Sequence, residues 1–79
     1  MKGIVRVLNS QGDTAVEFDT ETGVVEEAEK IIRQAQANSS ALFDGGTREQ
    51  IGRPTKPESP KKVLGEHEEV LIVPPMAGG

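Results

Sequence analysis

No cysteine, tryptophan or tyrosine occurs among the 79 residues, and histidine appears once. The missing thiols exclude disulfide staples and thiolate zinc sites. The lone His67 lies in Glu66-His67-Glu68-Glu69, where flexible carboxylates without a second imidazole give a metal no fixed geometry, so the segment reads as a solvated turn. One unplaced histidine supports no Ser-His-Asp constellation, and no glycine-rich phosphate loop follows a strand and opens a helix. No catalytic residue and no metal ligand is therefore assigned. Apolar runs near the roughly 20 residues needed to span a bilayer are also missing. Met1-Lys2-Gly3 opens without the apolar core of a signal peptide. The expectation is a soluble, cytoplasmic protein.

Two phenylalanines are the only aromatics, and apolar residues make up 34 % of the chain, enough for one small domain with a modest core. A core of this size seldom supplies more than roughly 3–5 kcal/mol. Thirteen acidic residues against nine basic give a formal charge of −4. That balance disfavours nucleic acid and anionic membrane as partners and favours a basic protein surface.

Residues 3–9 (GIVRVLN) and 14–19 (TAVEFD) are β-rich and flank Ser10-Gln11-Gly12-Asp13, which is turn chemistry. They predict a hairpin in which Thr14, Val16 and Phe18 share one face and Ala15 and Glu17 the other. From Val24 to about Ala37 the period changes. Val24, Ala28, Ile31, Ile32 and Ala35 recur at helical spacing, with charged and amide side chains between them. Thr20 or Thr22 is the expected cap, the early glutamates suit the positive end of the helix dipole, and Asn38-Ser39-Ser40 ends the helix.

Ala41-Leu42-Phe43 predicts a short strand stopped by an Asp44-Gly45-Gly46 turn, and residues 50–53 (QIGR) suggest a small edge strand. Residues 54–60 (PTKPESP) hold three prolines and read as an exposed connection. Glu69-Val70-Leu71-Ile72-Val73 is nearly continuous aliphatic sequence, as in a strand covered on both faces. This order predicts an α+β domain: a mixed sheet of four to five strands wrapped on one helix, with the first and last strands paired in the middle. The β-grasp is the simplest fold of that kind. A ferredoxin-like fold needs a second helix, which the proline-rich stretch between Gly46 and Gly65 does not readily provide.

The expected domain covers residues 1–73, and residues 74–79 form an extended tail, Pro74-Pro75-Met76-Ala77-Gly78-Gly79. At about 3.3 Å per residue it reaches roughly 20 Å. The prolines stiffen its exit, and the glycines have no Cβ to obstruct a narrow channel, so the tail is shaped to thread into a partner. A free carboxylate is a poor acyl donor. Chemistry at Gly79 requires activation, most simply as an acyl-adenylate made by an ATP-using partner, after which a thiolate, amine, hydroxyl or sulfide equivalent takes the acyl group.

The ending EVLIVPPMAGG (69–79) resembles that of the ubiquitin-like β-grasp superfamily, both its sulfur carriers and the bacterial ubiquitin-like modifiers. The close match covers about eleven residues, and the rest agrees in element order. The resemblance implies that Gly79 is the residue activated and attached, that Gly78 permits entry into the activating enzyme, and that the chain is a protein substrate and not an enzyme. It binds no cofactor, and the ATP is used by an adenylating enzyme of the ubiquitin-activating kind. The long proline-rich segment and Asp19-Thr20-Glu21-Thr22-Gly23 look more like the bacterial modifiers, whose partners include conjugating and deconjugating enzymes and target proteins. Two alternatives stay open: a sulfur carrier bearing a thiocarboxylate for molybdopterin, thiamin or tRNA thiolation, and a non-covalent binding module.

Lys56, Lys61 and Lys62 are the candidate acceptors for another copy's tail, because the proline-rich connection should be exposed and mobile, although the ordinary reading of each, a solubilising lysine, is favoured over that role. Arg6, Arg48 and Arg53 are candidates for charged contacts with partners. The resemblance also implies that a sheet face receives enzymes, without saying which residues compose it.

Overall fold

The computed structural model describes residues 1–8, 12–52 and 55–75. They form β1 (Lys2–Val7), β2 (Thr14–Asp19), α1 (Glu26–Ala37), β3 (Ala41–Asp44), α2 (Pro60–Glu66) and β4 (Glu69–Val73). The four strands make one sheet in the order β2-β1-β4-β3. β1 runs antiparallel to β2 and parallel to β4, and β3 runs antiparallel to β4. The architecture is α+β with a mixed four-stranded sheet, compatible with the expected β-grasp.

Period-two alternation explains which side chains enter the core. Val5 of β1, Phe18 of β2, Leu42 of β3, and Val70 and Ile72 of β4 turn toward the helices and pack with Ala28, Ile32 and Ala35 of α1. β4 lies between two neighbours in the sheet, but the helices cover only its Val70 and Ile72 face, so the expected cover by helices on both faces is not found. At the start of the central ladder, Ile4 N–H donates to the Glu68 carbonyl at 2.8 Å. Gly3 is required beside it. A Cβ there would collide with the Phe18 ring and the Glu68 carbonyl.

The second helix is the main departure from the sequence reading. The proline-rich stretch was expected to be connection only, yet its last proline opens α2. Ser59 sits in extended conformation as N-cap, its hydroxyl accepts from Lys62 N–H at 3.2 Å, and Pro60 occupies the first turn. Proline is suited to that position because its missing N–H would have no helical partner and its φ is already fixed. Val63 and Leu64 enter the core. Gln36 of α1 donates to the Glu58 carbonyl just before α2, joining the two helices at that end.

Smaller corrections concern element ends. Val24 lies outside α1 and is 64 % exposed, so it does not belong to the helix's buried stripe. It follows Gly23, whose φ of +79° turns the chain back so that the Val24 carbonyl accepts from Asp19 N–H at 2.9 Å. Neither Thr20 nor Thr22 caps α1; Val25 is the N-cap and supplies no side-chain hydrogen bond. Glu26, Glu27 and Glu29 do occupy the first turn. Asn38 is the C-cap, and Ser39 follows in the left-handed region. The suggested strand at residues 50–53 is reduced to an isolated bridge between Gln50 and Phe43, and Arg53 lies outside the described residues. Among the described residues, no helix is long and apolar enough to cross a membrane.

Candidate functional site

β4 carries the chain through the middle of the sheet and directly into Pro74 and Pro75, both exposed. Its last residues remain paired on both sides: Ile72 stands opposite Val7 and Leu42, and Val73 opposite Ala41. Leu8 N–H adds a bond of 2.9 Å to the Ile72 carbonyl. The exit is thus anchored to the last residue of the sheet. Beside it a cleft of about 270 Å³ opens between β1, β4 and the end of α1, lined by Val7, Ile31, Ala35, Ile72 and Pro74 among others. Met76, Ala77, Gly78 and Gly79 lie outside the described residues.

The face of the sheet turned away from the helices carries the residues that alternate with the core set. Ile4, Arg6, Phe43, Glu69, Leu71 and Val73 lie there. Leu71 is only 7 % exposed although it is outside the core cluster. Its cross-strand neighbours, Arg6 on β1 and Phe43 on β3, account for this cover. Arg6 reaches Glu69 at 3.6 Å, while its Nε is buried and has no hydrogen-bond partner among the described residues. The guanidinium therefore lies along the apolar surface with its stem contributing cover. Of the other two arginines, Arg48 is an exposed turn residue with φ of 67°.

His67 is not a free solvated turn residue. It closes α2, and its Nδ1 lies 2.7 Å from Asp44 Oδ2 at the end of β3. The other oxygen of Asp44 accepts from Gly46 N–H at 2.8 Å and Thr47 N–H at 2.9 Å, forming the expected turn. The His67 hydrogen bond, followed by those from Thr47 and Gly46, holds the Asp44 carboxyl at about 2, below the ordinary 3.8. Because the folded-state value is the lower one, this stabilisation is complete above about pH 4 and disappears as pH falls toward 2. A carbon-13 titration of the Asp44 carboxyl is expected to give the low midpoint in the parent and a higher one in His67→Ala. An unchanged midpoint in the variant would assign the depression to the turn N–H groups alone. Among the described residues no cluster of His, Asp and Glu side chains is placed to hold a metal ion.

The three candidate acceptor lysines fall in different settings. Lys56 is exposed before α2, whereas Lys61 and Lys62 lie in its first turn and not in a mobile connection. Lys62 pairs with Glu58 at 3.2 Å, and this hydrogen bond and the charges of Glu58 and Glu66 raise its ammonium above the ordinary range. Acyl transfer to an amine requires the neutral form, so Lys62 is the weaker acceptor on this account.

Sequence reasoning did not find the Asp44–His67 pair because its members are 23 residues apart and only the packing of α2 against the loop after β3 joins them. Leu71 was visible only as part of a buried strand, without a face. No protein-family model matches the chain, and no curated protein or solved structure does so either.

Proposed function

We propose that this chain is a ubiquitin-like modifier of β-grasp fold, activated and conjugated through Gly79. The observation that supports this reading most is the direct passage of the central strand β4 into an exposed Pro74-Pro75 exit. The parallel β1–β4 pair at the sheet centre, with α1 packed across it, supports the β-grasp assignment. Residues 1–73 form the domain and residues 74–79 the tail.

The reaction occurs on a partner enzyme. A carboxylate oxygen of Gly79 attacks the α-phosphorus of ATP, pyrophosphate leaves, and the carboxyl becomes a mixed anhydride with AMP. A nucleophile then attacks the Gly79 carbonyl carbon, AMP leaves with the bonding electrons, and the acyl group passes to sulfur, oxygen or nitrogen. Pro74 and Pro75 direct the tail away from the sheet, and Gly78 leaves the backbone bare where the channel is narrow. The domain binds the activating enzyme through its open sheet face, around Ile4, Phe43 and Val73, with Arg6 and Glu69 fixing orientation. If copies join one another, Lys56 and Lys61 are the preferred acceptors.

Intact and fragment mass spectrometry of the protein recovered from its native cells tests the reading, since it identifies what residue 79 carries. Gly79 joined to a side chain of another protein supports a modifier. A gain of about 16 Da on the C-terminal fragment, the replacement of carboxyl oxygen by a sulfur nucleophile, assigns a sulfur carrier and overturns it. Only unmodified chains, in cells where the protein is abundant, would also overturn it and leave the non-covalent binding module.

A further inference from the structure

β4 leaves the sheet beside an opening in the core. The cleft of about 270 Å³ there is walled by Val7, Ile31, Ala35, Ile72 and Pro74, and every side chain around it is uncharged. Val7 and Ile31 pack against the core cluster but are only partly buried. A neutral apolar side chain seated between them would take their open flanks out of water, whereas a charged one would find no partner.

The chain itself supplies such a side chain close by. Among the residues outside the described ones, 9–11 (NSQ), 53–54 (RP) and 77–79 (AGG) offer no long apolar side chain, and Met76 offers one. Met76 comes two residues after Pro74, itself a wall of the cleft, so the two Cα atoms are at most about 7 Å apart. A tether this short keeps the side chain at high effective concentration beside the cleft. Methionine also suits an irregular apolar space, because its unbranched side chain has three rotatable bonds and a polarisable sulfur.

We propose that Met76 seats its side chain in this cleft, among Val7, Ile31 and Ile72, and holds the base of the tail against the end of α1. A second copy's Met76, or an apolar residue of another protein, is the poorer occupant, because each loses translational freedom on binding that the tethered residue has already lost. The contact needs no chemistry at Gly79 and stands apart from the proposed function. One consequence does rest on that function: the docked tail is then a resting form. The activating enzyme lifts Met76 before residues 77–79 extend fully into it, and its apparent affinity is reduced by the undocked fraction.

The test uses the full chain and two independent readouts. In methyl-labelled protein, nuclear Overhauser contacts are expected from the Met76 methyl to those of Val7, Ile31 and Ile72, and Met76→Ser should shift those three and leave methyls elsewhere unmoved. Hydrogen peroxide oxidises a thioether to the sulfoxide, transferring one oxygen and releasing water, and does so faster at an accessible sulfur. Fragment mass spectrometry, which separates Met76 from Met1, should find Met76 oxidised about fivefold more slowly than in the free peptide Val-Pro-Pro-Met-Ala-Gly-Gly, as a side chain docked for about four-fifths of the time requires. Ile31→Ser, which roughens the wall of the cleft, should bring that rate close to the peptide's. Oxidation of the parent at the peptide's rate, missing methyl contacts, or shifts in Met76→Ser confined to another surface would each overturn the proposal. Contacts seen only between differently labelled copies would assign the cleft to a second copy and overturn it as well.

Discussion

Leu64→Ala is expected to lose about 2–5 kcal/mol of stability, the usual cost of emptying a fully buried leucine site. Leu64 is 1 % exposed and lies in α2, only seven residues long. A helix this short does not persist by propensity; it is held by the burial of Val63 and Leu64 and by its cap. A domain of this size holds roughly 3–5 kcal/mol in total, so the loss is enough to unfold much of the population. Urea titration followed by far-ultraviolet circular dichroism measures it. Ser59→Ala provides the comparison, since loss of the N-cap hydroxyl should cost about 1 kcal/mol. If the two variants fell by similar small amounts, α2 would be an appendage and the core would close without it.

Removal of Gly79 has the largest expected effect on activity. Under the proposed function the reacting carboxyl shifts back by one residue, and Ala77-Gly78 becomes the end presented to the activating enzyme. The methyl group of Ala77 then stands where a bare glycine backbone is required, and the carboxylate falls short by roughly 3.3 Å. Misplacement by even about 1 Å from an in-line geometry can cost 10²-fold in rate. Pyrophosphate exchange and conjugate formation should therefore be lost, while the urea midpoint stays at the parental value. Conjugates formed by the shortened chain would defeat the proposal. Loss of stability together with activity would instead give the end of the tail a part in folding.

Much of the architecture was legible because a few segments satisfy one period throughout. Glu69-Val70-Leu71-Ile72-Val73 reads as a central strand because its aliphatic run is nearly unbroken, and it becomes one, although the helices pack only on the face of Val70 and Ile72 and not on both. Ala28, Ile32 and Ala35 marked the inner side of α1 correctly. Val24 misled because an apolar residue at helical spacing is indistinguishable from a member of the stripe until the turn at Gly23 is known. Pro60 misled for a related reason: the same residue breaks a helix interior and opens a first turn, and the preceding Ser59 decides between them. His67 could not be paired from sequence, since Asp44 reaches it only after α2 has docked. The open sheet face needed the strand register before Leu71 could be separated from Val70 and Ile72.

The position of β4 also determines how the domain bears load. A pull delivered through Pro74-Pro75 is directed along β4, while the ladder bonds to β1 and β3 lie across it. Such a pull shears both ladders together and cannot peel the bonds off one by one, as it would from an edge strand. Force entering by the tail thus meets the sheet in its most resistant direction, whereas force applied at β2, held by a single neighbour, would open the same domain like a seam.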